Sequence, residues 1–269
     1  MPLDPFSSAG FGSSCLPSWL RWVESCSSTN TWAMQRDNLH HGEVVFTRQQ
    51  TAGRGQHGRT WYAPPGVLTA SFVLDRLHSS QLPGLSLTAG LAVIYAVQDL
   101  LPNLSSKLWL KWSNDVLIEE RKLAGILCEA ASRGSHTRVV VGIGLNRCAD
   151  FTQAGLDPDL VNNAVSLYQV SESVPEELAL LERLRHYLLQ VSDVCQRDGI
   201  AALIPQLRDR DFLYSRPVTI ELAGEQISGQ AIGIDTCGRL LVQLQAEVKA
   251  LVSGRVVWWG DKRVSSVAD

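Results

Sequence analysis

The chemistry of this chain is concentrated in the run Gly53-Arg54-Gly55-Gln56-His57-Gly58-Arg59, with Trp61 close behind. Glycine lets a backbone come near an anion and turn its N–H groups toward it. Arginine adds planar, permanently charged donors that match carboxylate and phosphate. A loop built from both reads as a binder of phosphate or of an acyl-phosphate. Gly53, Gly55 and Gly58 satisfy G-x-G-x-x-G, and the run to Thr60 lies one residue from a P-loop, with Arg59 in place of its lysine. Both motifs require a helix to begin at the last glycine. Here Trp61-Tyr62-Ala63-Pro64-Pro65-Gly66 follows, and a proline pair leaves no room for that helix. The loop must therefore hold its anion in another way.

Three further segments gather reactive side chains. They are Ser28-Thr29-Asn30, Lys111-Trp112-Ser113-Asn114-Asp115, and Arg121-Lys122-Leu123-Ala124-Gly125-Ile126-Leu127-Cys128-Glu129. Taken singly, each has a plain structural reading. Ser28 to Asn30 can cap a helix, and Asn114-Asp115 can turn between strands. Lys122 can be a solvated hairpin lysine, and Trp61 a core tryptophan.

The elements around these residues follow from periodicity and punctuation. Residues 19–24 read as a first strand, and Ser27-Ser28-Thr29-Asn30 supply N-cap residues for a short helix toward 38. Residues 43–49 form a strand that delivers the glycine-arginine loop. Residues 66–74 alternate as a strand buried on at least one face. Residues 82–101 are apolar nearly all round, which predicts a central helix. Strands are predicted over 107–112, 116–119, 123–131 and 138–145, the second and third joined as a hairpin. Ser173-Val174-Pro175-Glu176 has capping-box spacing ahead of a helix that Gly199 stops, and a shorter helix spans 200–210. After 213, Val218, Ile220 and Leu222, then Ile227, Ile232 and Ile234, then Leu240, Val242 and Leu244 mark short strands of a small barrel or sandwich. The pattern divides the chain into a flexible tail (1–18), an α+β domain (19–212) and a small C-terminal β-barrel domain (213–269).

Composition removes several classes. The chain has 269 residues, 45% hydrophobic and 19% charged, with a net charge of -3, which gives no general pull toward nucleic acid or an acidic membrane. The most apolar stretch is broken by Ser86, Thr88, Gln98 and Asp99, so it is a core helix and not a membrane span. The six cysteines, at 15, 26, 128, 148, 195 and 237, form no C-x-x-C pair and no Cys/His cluster. Buried thiols in a reducing compartment are the simplest expectation. No basic n-region followed by an apolar run opens the chain, so a cytoplasmic protein without a signal peptide is expected.

Together and in this order, the four segments closely resemble the biotin protein ligases. The resemblance runs from about residue 19 to the C-terminus and weakens from about 151. It implies a mixed sheet packed with helices, like the class II aminoacyl-tRNA synthetases, followed by the small β-domain. It implies ATP and biotin as substrates with Mg²⁺, biotinyl-5'-adenylate as intermediate, and a lysine of a biotin carboxyl carrier domain as acceptor. Ser28, Thr29 and Asn30 would then bind the ureido head of biotin. Gln50, Arg54, Gly55 and Gln56 would contact biotin and the adenylate, with Gly53 on the nucleotide side. Lys122 would hold the biotin carboxyl oxygen, and Arg54 and Lys122 would offset the repulsion of carboxylate and triphosphate. Asn114 and Asp115 would serve the nucleotide, Mg²⁺ and the incoming lysine. Trp61 would wall the adenine, and Asn146 would lie on the nucleotide side. Gln56 and His57 stand where the family often has arginine, Ser113 where it has proline, and Arg255 where an acidic residue is expected. Too few residues precede Ser28 for the helix-turn-helix domain of bifunctional members, so an enzyme without repressor or nucleic-acid binding is expected. A homodimer is left open. The rival readings are a lipoate ligase or octanoyltransferase and a non-enzymatic biotin sensor.

Overall fold

Strand β3 shows how the sheet is built. The computed structural model describes residues 16–75, 77, 81–133, 136–151, 158–260 and 262–263, so most of the expected tail lies outside the described residues. In chain order the first sheet and its helices are β1 (Leu20–Trp22), α1 (Thr29–Met34), β2 (Val44–Thr47), β3 (Val67–Val73), α2 (Leu85–Leu100), β4 (Leu108–Lys111), β5 (Asp115–Ile118), β6 (Arg121–Arg133) and β7 (His136–Asn146). Helices α3 (Pro158–Asn163), α4 (Leu167–Val170), α5 (Glu177–Asp198) and α6 (Ile204–Asp209) follow. Every residue of β3 is buried. Leu68, Ala70 and Phe72 face the main core, while Val67 and Val73 join two smaller apolar clusters. Thr69 and Ser71 lie between those two on the same face, since side chains alternate along a strand.

The seven strands run in the order β1-β2-β3-β7-β6-β5-β4. β1 pairs parallel with β2, and the other pairings are antiparallel. Helices α2 and α5 pack against each other, and α2 also against β4 and β6. Leu87, Leu91 and Ile94 of α2 are at most 1% exposed, and each such side chain contributes roughly 1.5–3 kcal/mol. Helix α1 meets β2, β3 and β7, where its Ala33 packs in the cluster of Val45, Val73 and Val140.

Helix α1 ends at Met34, short of the expected 38, with Gln35 as its C-cap. The long helix α5 departs from the expected capping box. Its N-cap is Glu176, without a side-chain cap bond. Pro175 keeps the residue before it out of helical geometry, so Ser173 lies too early to cap. A capping box does occur nearby, between Ser166 and Gln169 at α4. The helix expected over 200–210 divides into a 3-10 turn (Ile200–Leu203) and α6, with a proline in the first turn of α6.

The second sheet comprises β8 (Pro217–Leu222), β9 (Glu225–Ile234), β10 (Leu240–Gln243), β11 (Val248–Leu251), β12 (Arg255–Trp259) and β13 (Lys262–Arg263). Its pairings run β11-β10-β9-β8-β12-β13, and all are antiparallel. The segment leading into it runs parallel beside β4. Leu110 N–H donates to the Arg210 carbonyl (2.8 Å) and Phe212 N–H to the Leu110 carbonyl (2.9 Å). Across the same junction the Trp112 indole donates to the Gly238 carbonyl at 3.2 Å, and Phe212 meets Trp259 edge-on at 6.1 Å. Asp211 is buried there. Burial raises its carboxyl to about 6, although N–H groups of Leu213 and Tyr214 oppose the shift.

Candidate active site

Strand register lays a trough of missing side chains across the sheet. Thr69 is opposite Gly144, and Gly144 opposite Gly125. One row along, Ser71 is opposite Gly142, and Gly142 opposite Leu127. A Cβ at Gly142 would run into the Asn30 amide, and one at Gly144 into the Trp61 indole. At Gly125 it would lie 2.8 Å from the indole and 3.1 Å from Lys122 Nζ. The trough thus seats Asn30 at one end and Trp61 at the other. It opens into a cavity of about 580 Å³.

At the Asn30 end the polar groups are closely satisfied. Ser28 caps α1, its Oγ accepting from Thr31 N–H at 3.5 Å. The Thr29 N–H donates to Gln50 Oε1 at 2.9 Å. Ser71 Oγ lies 2.7 Å from Thr29 Oγ1 and 2.6 Å from Asn30 Oδ1. Asn30 Nδ2 donates to the Leu127 carbonyl (3.0 Å) and to Glu129 Oε2 (2.8 Å). Ser28, Thr29, Asn30 and Ser71 are each at most 5% exposed. A buried network satisfied in this way is rigid.

The glycine-arginine loop is held differently. Trp61 N–H donates to the Gly53 carbonyl at 2.9 Å and Gly55 N–H to the Arg59 carbonyl at 2.6 Å, so residues 53–61 close as a miniature hairpin. A 3-10 turn over Gln56–Gly58 forms its tip, with His57 at φ 57° and Gly58 at φ 76°. Only glycine takes the latter geometry without strain. As expected, no helix follows the loop. Arg54, His57, Arg59 and Thr60 are exposed. Arg54 reaches Glu129 Oε2 at 2.8 Å and Thr31 Oγ1 at 3.0 Å. The Gln56 amide oxygen accepts from Ser113 Oγ at 2.9 Å. The indole N–H of Trp61 is buried without an acceptor.

Three charged groups meet at the far wall. Lys122 Nζ lies 2.6 Å from Asp115 Oδ1 and 5.3 Å from the Trp61 ring centre. Lys111 Nζ lies 3.7 Å from Asp115 Oδ2 and 4.2 Å from the Trp259 ring centre. Burial alone would raise the Asp115 carboxyl, but the charges of Lys122, Lys111 and Arg59 outweigh it and hold it below the usual carboxylate range. Burial pulls the Lys111 ammonium down to about 8, against the pull of Asp115 and helped by Lys122 and Arg59. Asn146 acts from behind: its amide donates to the Lys122 carbonyl (3.0 Å) and the Val165 carbonyl (3.1 Å). Asn114 likewise ties to Ile126, donating to its carbonyl at 2.7 Å. Both carboxylate oxygens of Asp115 face ammonium groups, and among the described residues no cluster of three or more His, Cys, Asp or Glu could cage a metal. Asp115 therefore does not fit as a ready Mg²⁺ ligand, and a divalent cation would have to ride on substrate phosphates.

Of the expected residues, Ser28, Thr29, Asn30, Gln50, Arg54, Gly55, Gln56, Trp61, Asn114 and Lys122 line one cavity. Gly53, Asp115 and Asn146 stand behind the lining. Sequence reasoning assigned no role to Ser71, Thr31, Lys111 or Glu129, nor to Arg59 and Arg255, which also line the cavity. Ser71 carried a signal: with Thr69 it puts hydroxyls on an otherwise apolar face of a buried strand.

Comparison with known proteins bears on the whole chain. Residues 22–146 match the Biotin/lipoate A/B protein ligase family, and residues 216–259 the Biotin protein ligase C terminal domain. The chain is 35% identical over 222 residues to the biotin--[acetyl-CoA-carboxylase] ligase of Mycobacterium tuberculosis, covering 80% of this chain and 79% of that protein. It is 29% identical over 240 residues to the enzyme of that name from Paracoccus denitrificans, covering 87% and 98%. The fold superimposes on a biotin protein ligase from Aquifex aeolicus in complex with biotin and ATP, with a TM-score of 0.75, 24% identity, and 88% and 97% coverage. The two matched family regions and the 35% identity to the Mycobacterium tuberculosis ligase over 80% of this chain show that the chain belongs to the biotin protein ligase family.

Proposed function

We propose that this chain is an ATP-dependent biotin protein ligase that joins biotin to a lysine of a carboxylase carrier domain through biotinyl-5'-adenylate. The observation that carries the reading is that one cavity has a neutral, rigid polar floor at one end and a cluster of cations at the other. Biotin offers a matching pair of ends, an uncharged ureido ring and a carboxylate. The floor of Ser28, Thr29, Asn30 and Gln50 takes the ring. Lys122 and Arg54 take the carboxylate, with Arg54 leaving Glu129 for the stronger anion.

In the first step a carboxylate oxygen attacks the α-phosphorus of ATP, the bond to the β-phosphate bridge breaks, and pyrophosphate leaves with the electron pair. The residues contribute orientation and charge: Lys122 and Arg54 bring the two anions together and stabilise the charge that develops. Trp61, seated over Gly125 and Gly144, walls the nucleotide and keeps water from the mixed anhydride. In the second step the carrier amine attacks the acyl carbon and AMP leaves. Asp115, kept ionised by its lysines, orients that amine. Biotin is favoured over lipoate by the match of the C-terminal sheet. The free thiols at 26, 128, 148, 195 and 237 suit a reducing cytoplasm, and no helix among the described residues is long and apolar enough to cross a membrane.

The test is mass spectrometry of a biotin-acceptor domain incubated with this protein, ATP, Mg²⁺ and biotin, with parallel arms containing lipoate and octanoate. A single biotinyl adduct on the acceptor lysine is expected. An adduct only in the lipoate or octanoate arm, or none in any arm, sinks the reading.

A further inference from the structure

We propose that Ser113 is a positioning residue that pins the tip of the glycine-arginine loop, so that Gln56 and Arg59 meet the phosphates of ATP from a fixed place. The identity of the anion rests on the ligase reading; the pin itself does not. It is a contact between segments far apart in sequence, in which Ser113 Oγ donates to Gln56 Oε1 at 2.9 Å. Ser113 stands on a fixed post. Its own carbonyl accepts from Ser86 Oγ of α2 at 3.0 Å. On one side the Trp112 indole donates to the Gly238 carbonyl at 3.2 Å. On the other, Asn114 is bound twice to Ile126: its amide donates to the Ile126 carbonyl at 2.7 Å, and its carbonyl accepts from the Ile126 N–H at 2.9 Å. A hydroxyl mounted in this way does not follow the loop; the loop comes to it.

Gln56 is where the pin takes hold. It opens the 3-10 turn at the loop tip, and its backbone carbonyl accepts from the Arg59 N–H at 3.3 Å and from Arg59 Nε at 3.2 Å. Holding the Gln56 side chain therefore holds the turn and, through it, the Arg59 guanidinium. Arg59 lines the cavity and forms no ion pair among the described residues. Its charge helps lower both the Asp115 carboxyl and the Lys111 ammonium, which places it at the charged end. Ser113 occupies the amide oxygen of Gln56, so that side chain offers its N–H donors to whatever enters the cavity. Biotin has only one negative charge, and Lys122 and Arg54 account for it. A triphosphate carries several more, and a guanidinium matches two phosphate oxygens at once. Donors held in place beforehand lose little freedom when that anion arrives.

The test uses the full chain and its variants Ser113→Ala, Ser113→Thr, Gln56→Ala and Ser113→Ala/Gln56→Ala. Hydrogen exchange of the ligand-free proteins reads the pin without turnover, and adenylation kinetics give KM for ATP and for biotin. In Ser113→Ala the Arg59 amide should exchange faster. Its KM for ATP should rise about three- to tenfold, the worth of one neutral hydrogen bond, with KM for biotin within about twofold. Ser113→Thr keeps a hydroxyl and should restore both. The double variant should match Gln56→Ala alone, because Ser113 acts through that side chain. A parent-like exchange rate or a parent-like KM for ATP in Ser113→Ala overturns the proposal. So does an equal rise in both KM values, or a double variant whose losses add, since either would make the Ser113 contact a general structural one. If the parent forms no biotinyl-adenylate, yet exchange at Arg59 quickens in Ser113→Ala and recovers in Ser113→Thr, the ligase reading fails and the pin stands.

Discussion

The floor of the cavity and the loop above it are built on opposite principles. The floor places Ser28, Thr29, Asn30 and Ser71 in the protein interior, each polar atom answered by another at 2.6–3.5 Å. The loop places Arg54 in the open, 47% exposed, on a carboxylate it can leave. In the proposed function the floor takes a neutral group, so its geometry must exist beforehand; water competes well with any hydrogen bond that has to be assembled. In the same proposal the loop takes charge, which acts over longer distance and tolerates adjustment. Stability and activity should therefore separate between the two regions.

The largest expected effect comes from the loop and concerns rate alone. Arg54→Ala should slow pyrophosphate release by about 2–4 kcal/mol in the barrier. Its exposed pair with Glu129 should account for only about 0–1 kcal/mol of folding stability. Pyrophosphate release assays beside thermal melts check this, and a destabilised variant with a normal rate would erase the contrast. Lys122→Ala crosses the divide. It removes the same kind of charge, yet strips Asp115 of its nearer partner, so it should lose both rate and stability. Restoring the melt with Lys122→Ala/Asp115→Asn, but not the rate, would separate the two.

From the floor, Ser71→Ala should cost on the order of 1–3 kcal/mol in denaturant unfolding, because Asn30 Oδ1 and Thr29 Oγ1 both lose a buried partner. Biotin binding should weaken with it. If affinity falls without any loss of stability, the floor is less structural than its burial suggests.

How much of this was legible in the sequence differs between the same two regions. The loop is contiguous, so glycine and arginine spacing displayed it whole, and Pro64-Pro65 excluded the helix-based motifs. Ser28 to Asn30 were also adjacent and visible. Their partners were not: Ser71 is 41 residues from Asn30 and Glu129 is 99 away. Period-two alternation marked β3 as a strand, but only its register with β7 sets Ser71 opposite Gly142. The same holds for the glycine trough, which is divided between two strands, Gly125 on β6 and Gly142 and Gly144 on β7. Arg255 was read as a departure from a pattern, since no local signal says which face of a second sheet meets the first. The Ser173 spacing misled because a cap is a geometry, and Pro175 moved the helix start beyond it.

The junction offers a smaller test of the floor's principle, since Asp211 is buried with one oxygen unanswered. Its folded carboxyl titrates near 6, above the ordinary 3.8. A raised carboxyl binds its proton more tightly when folded, so its contribution is fully present at low pH and is lost as pH rises through about 6. Asp211→Asn should therefore gain on the parent by on the order of 1–2 kcal/mol between about pH 5 and 8. Urea unfolding at the two pH values reads it, and a difference that shrinks with rising pH would reverse the sign. Smallest in energy is the loop's own response. Amide hydrogen exchange over 53–60 should slow when biotin and ATP are added together. Equal protection in both states would mean that the loop is already as rigid as the floor.

Trp61 has one more consequence, which concerns chain entropy. With the Gly53 carbonyl bonded to Trp61 N–H and the indole seated over two glycines, the loop is a short tether with both ends already fixed. Ordering a residue costs roughly 1–2 kcal/mol, and closing a longer loop costs more. Here the closure has been met by folding, before any ligand arrives. Arg54 and Arg59 are confined to a small volume above the cavity, and their effective concentration there is that of a linked binding partner, not of a free one. The indole thus works as an anchor for both arginines, and lengthening the tether by a few glycines would dilute their charge above the cavity.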